Sequence, residues 1–178
     1  MTTPKFSRPS WDEYFMAMAR ITATRSNCDR LHTGAVLVKD KRIIATGYNG
    51  APPGLPNCDE VGHLLEGTHC VRTVHAEHNT LLQVARLQGA STEGTTIYSL
   101  YSPCIHCAKY LVAAGVKRLV YGQIYRNPEV IEYLRAANID VDQYKENKSW
   151  LEKLRDVFKD EVAEVKAKEG DVQMEVKR

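Results

Sequence analysis

The alternation of strands and helices over residues 95–144 is the feature that most restricts how this chain can fold. Segments with helical spacing start at Pro103 and Pro128, and they separate three β-rich runs, TTIYSLY (95–101), KRLVYGQIY (117–125) and IDVDQY (139–144). Earlier in the chain, one polar position separates two further β-rich runs that predict a hairpin, GAVLVKD (34–40) and RIIATGYN (42–49). A hairpin followed by alternating helices and strands predicts an α/β sandwich, in which helices cover a mixed sheet.

Two more helices are expected before residue 95. The capping box SWDE predicts a helix over residues 11–24, whose core-facing residues at helical spacing would be Phe15, Met18 and Ile21. A second helix is predicted from His75 to Gln88, with a buried side formed by Leu81, Leu82 and Ala85. A charged amphipathic helix is expected over 149–165, so the predicted organisation is one domain, 1–165, and a solvated tail, 166–178.

Composition excludes several classes of location and partner. The chain has no apolar run near the roughly 18 residues that cross a membrane, and no apolar N-terminal segment typical of a secretion signal, so a cytoplasmic location is predicted. A net charge of +2 without a basic cluster argues against duplex nucleic acid and favours a small anionic ligand. Because disulfides are rare in reducing compartments, the five cysteines are expected to bind metal or to remain reduced.

Three residues have the chemistry and positions expected of catalytic zinc ligands. Cys104 and Cys107 are spaced i and i+3 in the first turn of a predicted helix, where the helix N-terminus favours thiolates. His75 begins the other helix and would complete a set of three ligands, which leaves a fourth position for water. Glu77, two residues further, would reach that water without binding the ion and would transfer protons.

The histidine–glutamate motif and the cysteine motif together indicate a function more specifically than either motif alone. A C-x-x-C motif alone is equally compatible with a redox pair. The sequence H-A-E followed about thirty residues later by P-C-x-x-C, however, is typical of zinc-dependent nucleobase deaminases.

Four longer stretches extend this similarity. They are RPSWDEYFM (8–16), GAVLVKDKRIIATGYNGAPPGLPNCD (34–59), VHAEHNTLLQVAR (74–86) and YSPCIHCAKYLVAAGVKRLVYG (101–122), followed by Tyr-Arg. Over residues 8–145 the chain resembles the deoxycytidylate (dCMP) deaminases of the cytidine deaminase-like superfamily. The resemblance implies a three-layer α/β/α sandwich with a mixed five-stranded sheet, hydrolysis of dCMP to dUMP and ammonia, and a homo-oligomer, commonly a hexamer.

Substrate contacts are predicted on two segments. The resemblance implies that Asn49 of GYNG contacts the deoxyribose or a neighbouring group of the nucleotide. Tyr125 and Arg126 follow a strand, and an aromatic ring beside a cation suits a nucleotide's base and phosphate. An ordinary surface pair is the alternative for these two residues, and rival partners for the phosphate are Arg25, Arg30 and Arg72.

Regulation and a second metal follow from the resemblance alone. Many members of the family are activated by dCTP and inhibited by dTTP, bound with Mg²⁺, and the matching positions here are Tyr48, Asn49, Gly50 and Arg86. Some members carry a second, structural zinc, and Cys28 and Cys58 match two of its ligands.

The ligand set of the second zinc would be closed by Cys70 with His69 or His63, and we assign His69. Buried reduced thiols are the alternative for these cysteines. The remaining histidines, His32, His78 and His106, are not expected to bind metal.

Two other functions remain open at this point. One is a related zinc deaminase acting on cytidine, cytosine or tRNA adenosine, although a tRNA enzyme would be expected to carry a basic surface. The other is an accessory, non-catalytic protein of a DNA-uptake operon, which would not need an intact catalytic motif.

Overall fold

The computed structural model describes residues 8–87, 89–146 and 152. The chain divides into two units, 1–145 and 146–178, and every helix and strand named below belongs to the first unit. The predicted helix over 149–165, the tail and the domain boundary at residue 165 lie outside the described residues, apart from Glu152.

The described residues form five helices and seven strands. The helices are α1 (Trp11–Ala23), α2 (Cys58–Val61), α3 (Ala76–Arg86), α4 (Ile105–Ala113) and α5 (Glu129–Ala136). The strands are β1 (Gly34–Lys39), β2 (Arg42–Tyr48), β3 (Leu65–Glu66), β4 (His69–Cys70), β5 (Thr96–Tyr101), β6 (Arg118–Gln123) and β7 (Asp140–Gln143).

Five of these described strands form one mixed sheet in the order β2-β1-β5-β6-β7. The β1–β2 hairpin and the β1–β5 pair are antiparallel, whereas β5, β6 and β7 run parallel through the crossover helices α4 and α5. The predicted α/β class and the mixed five-stranded sheet are therefore confirmed.

Alternate residues of β1, β5 and β6 enter two separate cores on opposite faces of the sheet, which gives the three layers. Helix α1 packs on one face of the sheet, where its Phe15 and Met16 meet Val36, Val38, Tyr98 and Val120. On the other face, residues of α3, α4 and α5 pack on the intervening strand positions, which include Ala35, Leu37, Ile97 and Leu119. Burial of this apolar surface is the main source of stability for the sandwich.

Glycines let two helices approach the sheet unusually closely. A Cβ atom at Gly34 would lie 2.5 Å from the backbone oxygen of Ala19 in α1, and a Cβ at Gly47 would collide with the backbone of Ala76 and Thr80 in α3. Small residues therefore form the inward side of α3, namely Ala76, Thr80 and Val84.

This packing corrects part of the predicted core. Ile21 of α1 and Leu82 of α3 are exposed at 51% and 44%, and Ala85 is exposed as well. The prediction assumed that large aliphatic side chains face inward. Because the helix backbones approach the sheet closely, only small side chains fit between them. Phe15 is buried as predicted, and Met18 and Leu81 are partly buried against the cores.

The long segment between β2 and α3 contains the short elements α2, β3 and β4. An antiparallel bridge between Gly50 and Val74 closes the segment at its base. Within the ranges that the structure describes, none of the helices is both long enough and apolar enough to cross a membrane.

Candidate active site and a second ligand cluster

The N-termini of α3 and α4 meet at the carboxyl end of β5. His75 is the N-cap of α3, and its Nδ1 lies 3.5 Å from Sγ of Cys104 and 3.6 Å from Sγ of Cys107. Cys104 is the N-cap of α4, and Cys107 lies in the first turn of that helix. The structure thus brings the three predicted ligands together.

These three side chains fit a zinc ion in their identity and their spacing. Zinc–nitrogen and zinc–sulfur bonds at a tetrahedral angle separate the two ligand atoms by about 3.6 Å. The two distances from His75 Nδ1 to sulfur agree with this value, and all three ligand atoms lie within 4.8 Å of one another. A Cys₂His set with one remaining position is one of the ligand sets of catalytic zinc sites.

The electrostatics of the cluster favour one thiolate. The hydrogen bond with Cys107, followed by that with His75, lowers the pKa of Cys104 to about 3, against the opposing effect of burial. The Cys107 backbone N–H points at this sulfur, 3.5 Å away, as expected at a helix N-terminus. The interaction with Cys104 also raises the pKa of His75 and of Cys107.

Glu77 lies in the first turn of α3, beside this cluster, with 5% of its surface exposed. Burial raises the pKa of its carboxyl group, whereas the hydrogen bond from Ser99 opposes that effect. Ser99 Oγ donates to Glu77 Oε1 over 2.9 Å, and this residue of β5 was missed at the sequence level. A small polar residue in an otherwise apolar strand is the signal that could have revealed it.

A cavity opens from the cluster to the surface. Its lining includes the four residues His75, Glu77, Cys104 and Asn49, and, further out, Tyr125, Arg126 and Arg30. The guanidinium carbon of Arg126 lies 5.2 Å from the centre of the Tyr125 ring. The predicted substrate residues therefore share one cavity with two of the three predicted metal ligands, His75 and Cys104.

The comparisons agree with this arrangement. A family model for the zinc-binding region of cytidine and deoxycytidylate deaminases matches residues 9–123. The chain belongs to this family.

Two curated relatives and one solved structure illustrate the relationship. The chain is 43% identical over 137 residues to ComE operon protein 2 of Bacillus subtilis, covering 76% of this chain and 72% of that protein. It is 42% identical over 127 residues to the deoxycytidylate deaminase of Mycobacterium phage D29, covering 65% and 96%. The dCMP deaminase of cyanophage S-TIM5, solved with dCMP and dUMP, matches with a TM-score of 0.69 and 32% identity, over 78% of this chain and all of that one.

In this deaminase-family chain, Asn49 links the hairpin to the catalytic helix. Its Oδ1 accepts a hydrogen bond from the backbone N–H of Ala76 over 3.0 Å, and its Nδ2 donates to the carbonyl of Leu31 over 3.2 Å. Since an amide nitrogen has two hydrogens, one donor of Asn49 is left beyond these two bonds.

The three rival arginines occupy different places. Arg30 lines the catalytic cavity, and Arg25 lines a second cavity on the other side of the GYNG segment. Arg72 donates from Nε to the carbonyl of Gly62 over 2.9 Å and thereby holds the long segment.

A second cluster of ligand atoms lies under that segment, and its histidine is His63. Cys28, Cys58, His63 and Cys70 present ligand atoms that all lie within 4.8 Å of one another. His69, the histidine of the predicted set, is instead exposed and contacts Arg126. This assignment is therefore corrected to His63, because α2 and the turn after it carry His63 back to the cysteines, whereas His69 points to the other side of its strand from Cys70.

The orientation of His63 resembles that of a metal ligand. Its Nε2 lies 3.1 Å from a carboxylate oxygen of Asp29, while its Nδ1 is buried without a hydrogen-bond partner among the described residues. A carboxylate that holds the outer nitrogen of a ligating histidine is common around zinc. The Cys58 and Cys70 sulfurs are 3.6 Å apart, close to the roughly 3.8 Å of two thiolates on a tetrahedral ion.

The cysteines of this cluster differ in acidity. Burial and the hydrogen bond with Cys70 raise the pKa of Cys58 to about 12. Burial also acts against ionisation of Cys70, but the hydrogen bond from the Arg72 backbone and the neighbouring side chains of His63 and Cys58 outweigh it and lower its pKa to about 7. As the pH rises, the thiol of Cys70 therefore ionises before that of Cys58.

The predicted regulatory residues separate into two groups. Tyr48 and Gly50 line the second cavity together with Arg25, Asn79 and Gln83, whereas Asn49 lines the catalytic cavity. Arg86 is exposed near the end of α3 and is not among the residues that line this second cavity in the described part of the chain. The cation on this cavity wall is therefore Arg25 and not Arg86.

The three remaining histidines are outside both ligand clusters of the described residues. His78 stacks on Tyr110 of α4 with ring centres 4.4 Å apart, which agrees with a helix-face position. His106 is exposed between the two cysteines of α4, and His32 lies before β1.

Proposed function

We propose that this chain catalyses the zinc-dependent hydrolytic deamination of dCMP to dUMP and ammonia. The observation that carries the proposal is a buried carboxyl group, Glu77, beside a Cys₂His cluster in a cavity whose outer part carries Arg30 and Arg126. The D29 phage relative, named a deoxycytidylate deaminase, supports this substrate because the chain spans 96% of its length.

In this proposal, His75, Cys104 and Cys107 hold the catalytic zinc. When bound, zinc supplies the acidity that lets water act as a nucleophile near neutral pH. Cys104 is the N-cap of α4 and Cys107 lies in its first turn, so the helix N-terminus stabilises negative charge on the ligand sulfurs.

Glu77 carries the protons of the reaction. Its carboxylate accepts a proton from the attacking water and passes it to the ring nitrogen. It then takes the second proton from the new hydroxyl group on the attacked carbon and delivers it to the amino group, which leaves as ammonia while the carbonyl of the uracil forms. Ser99 holds one carboxylate oxygen, which fixes the orientation of the group inside the cavity. The buried position excludes bulk water, which strengthens these electrostatic interactions.

The outer residues would recognise the nucleotide. Arg126 offers a planar donor to the phosphate, Tyr125 offers a ring to the sugar or base, and Asn49 has a remaining amide donor. Among the described residues that line this cavity, Glu77 is the one acidic residue, so no other lining carboxylate competes with the substrate phosphate for the outer cations.

The test is an ultraviolet assay of the purified chain with dCMP, cytidine, dCTP and a tRNA anticodon stem. We expect loss of cytosine absorbance with dCMP, and deamination of the tRNA stem or of cytidine in preference to dCMP would contradict the proposed substrate. The Glu77→Gln variant should retain zinc by metal analysis and lose turnover, and an active variant would refute the role of Glu77.

The accessory-protein alternative is not favoured by the described residues, since Glu77 and all three ligand residues are present and grouped. The same assay addresses this alternative, because a chain that deaminates none of the substrates would support it.

The second cluster is proposed to hold a structural zinc through Cys28, Cys58, His63 and Cys70. Four ligands without an open position are typical of structural zinc, which stabilises segments that have little apolar surface. Two zinc ions per chain are then expected by metal analysis.

We also propose regulation by dCTP and dTTP with Mg²⁺ in the second cavity, beside Tyr48, Gly50 and Arg25. Saturation curves for dCMP, measured with and without each triphosphate, test this regulation. The chain is further proposed to act in the cytoplasm as a homo-oligomer, commonly a hexamer in this family, and light scattering after gel filtration would measure the assembly.

A further inference from the structure

The β3–β4 hairpin connects the second ligand cluster to the mouth of the catalytic cavity. Leu65 pairs with Cys70, and Glu66 pairs with His69, so four residues form the whole ladder. Cys70 is a member of the Cys₃His cluster, whereas the next residue back, His69, is exposed on the opposite side of the strand.

This hairpin touches both arginines that line the outer part of the cavity. The guanidinium of Arg30 donates from Nη2 to the carbonyl oxygen of Thr68 over 2.9 Å. The guanidinium of Arg126 contacts the imidazole of His69, with Nη1 against both ring nitrogens. Two adjacent residues of one turn and strand therefore hold two cations that come from distant parts of the chain.

We propose that the β3–β4 hairpin positions these arginines for the 5′-phosphate of the substrate, with His69 orienting Arg126 and the Thr68 carbonyl orienting Arg30. This inference rests on the proposed deamination of a nucleotide. Arginine recognises phosphate best when its planar fork is held in place, because a bidentate contact has strict geometry. Immobilising a long side chain before the ligand arrives removes an entropic cost from binding.

The ligand cluster contains one residue of the hairpin, Cys70, and one residue close to Arg30 in the chain, Cys28. Cys28 lies two residues before Arg30, and Cys70 directly follows His69, and both cysteines also line the cavity. The hairpin has two residues in each strand, which is too short to be stable alone, so its position depends on these attachments. The second cluster therefore acts on substrate recognition as well as on stability.

The test compares His69→Ala with the parent chain. The steady-state KM for dCMP should rise about 3- to 10-fold, while kcat should change by less than about twofold, because an oriented side chain is lost and the reacting groups are untouched. By titration calorimetry, the affinity for dUMP should fall by the same factor, whereas that for deoxyuridine, which lacks the phosphate, should not change.

Two matched variants serve as controls. His69→Gln keeps an acceptor for Arg126 and should recover most of the affinity for dUMP. Glu66→Gln alters the exposed residue paired with His69 and should leave KM at the parent value.

An unchanged KM in His69→Ala would overturn the proposal, as would an equal loss of affinity for dUMP and deoxyuridine, which would indicate a general structural role. If the parent chain binds dUMP but deaminates no cytosine nucleotide, the proposed function fails, and the comparison of dUMP with deoxyuridine still decides the role of the hairpin. Absence of phosphate-dependent binding in the parent would overturn the positioning role directly.

Discussion

Gly47 of β2 lies where α3 crosses the sheet, and its replacement by alanine tests how closely the fold controls the catalytic cluster. An added Cβ would collide with the backbone of Ala76 and Thr80, atoms that cannot rotate away. Gly34 on the same sheet is a matched control, since a Cβ there would lie 2.5 Å from the backbone oxygen of Ala19 in α1.

The size of the displacement can be worked out from these contacts. Ordinary van der Waals contact begins at 3.4 Å, so helix and strand must separate by at least 0.9 Å, the difference between 3.4 and 2.5 Å, at Gly34, and by more at Gly47. Overpacking of this kind costs about 1–3 kcal/mol of the free energy of unfolding. In Gly47→Ala the shift also moves His75 and Glu77, and a displacement near 1 Å can lower turnover about 100-fold.

The assay combines urea unfolding with dCMP turnover at increasing zinc concentration. Both variants should unfold at lower urea concentration than the parent. Gly47→Ala alone should also need more zinc and reach a lower maximal rate, because α1 carries none of the residues assigned to the site. The reasoning would be refuted if Gly47→Ala were as destabilised as Gly34→Ala and yet turned over dCMP at the parent rate.

Three further outcomes are expected. His63→Ala should reduce the metal content from two zinc ions per chain to one, whereas His69→Ala should retain both. If only His69→Ala lost zinc, the assignment of the ligand would revert from His63 to His69. Arg118 donates from two nitrogens to Asp12 over 2.9 Å each. Arg118→Ala should therefore lower the free energy of unfolding by about 1–2 kcal/mol after solvent screening, as measured by urea titration. Arg135→Ala breaks an exposed ion pair and should lower it by less than about 0.5 kcal/mol in the same titration. The hydrogen bond from Arg118 lowers the pKa of Asp12 despite partial burial, so the stability it contributes is present above the unfolded-state pKa of about 3.9 and is lost as the pH falls. The difference in unfolding free energy between the parent and Arg118→Ala should therefore shrink when it is measured below that pH. A constant difference would contradict the ion pair.

The parts of the site that could be predicted from the sequence depend on local spacing. Each pair consists of an N-cap and a residue of the following first turn, namely Cys104 with Cys107 and His75 with Glu77, so the helices themselves group each pair. Because α3 leads into β5 and α4 follows it, both helix starts lie at the carboxyl end of that strand. The distances between the three metal ligands therefore follow from regular helices and strands.

The histidine of the second cluster could not be predicted in this way. His63 and His69 have the same chemistry and lie in one segment without a hydrophobic period. The choice between them depends on the path of that segment, through α2 and the β3–β4 hairpin, which are too short to leave a pattern in the sequence. The inward side of α3 was missed for a different reason, because it depends on how near Gly47 lets the helix approach.

The GYNG segment separates the two cavities by one residue. Tyr48 and Gly50 line one cavity and Asn49 lines the other, where it also holds the first N–H of α3. A substitution at any of these three positions therefore changes the backbone that both cavities share. On the proposed regulation by a nucleotide in the second cavity, a genetic screen for chains that lose the effector response but keep full catalysis should recover changes at Arg25 or Gln83 rather than within residues 48–50.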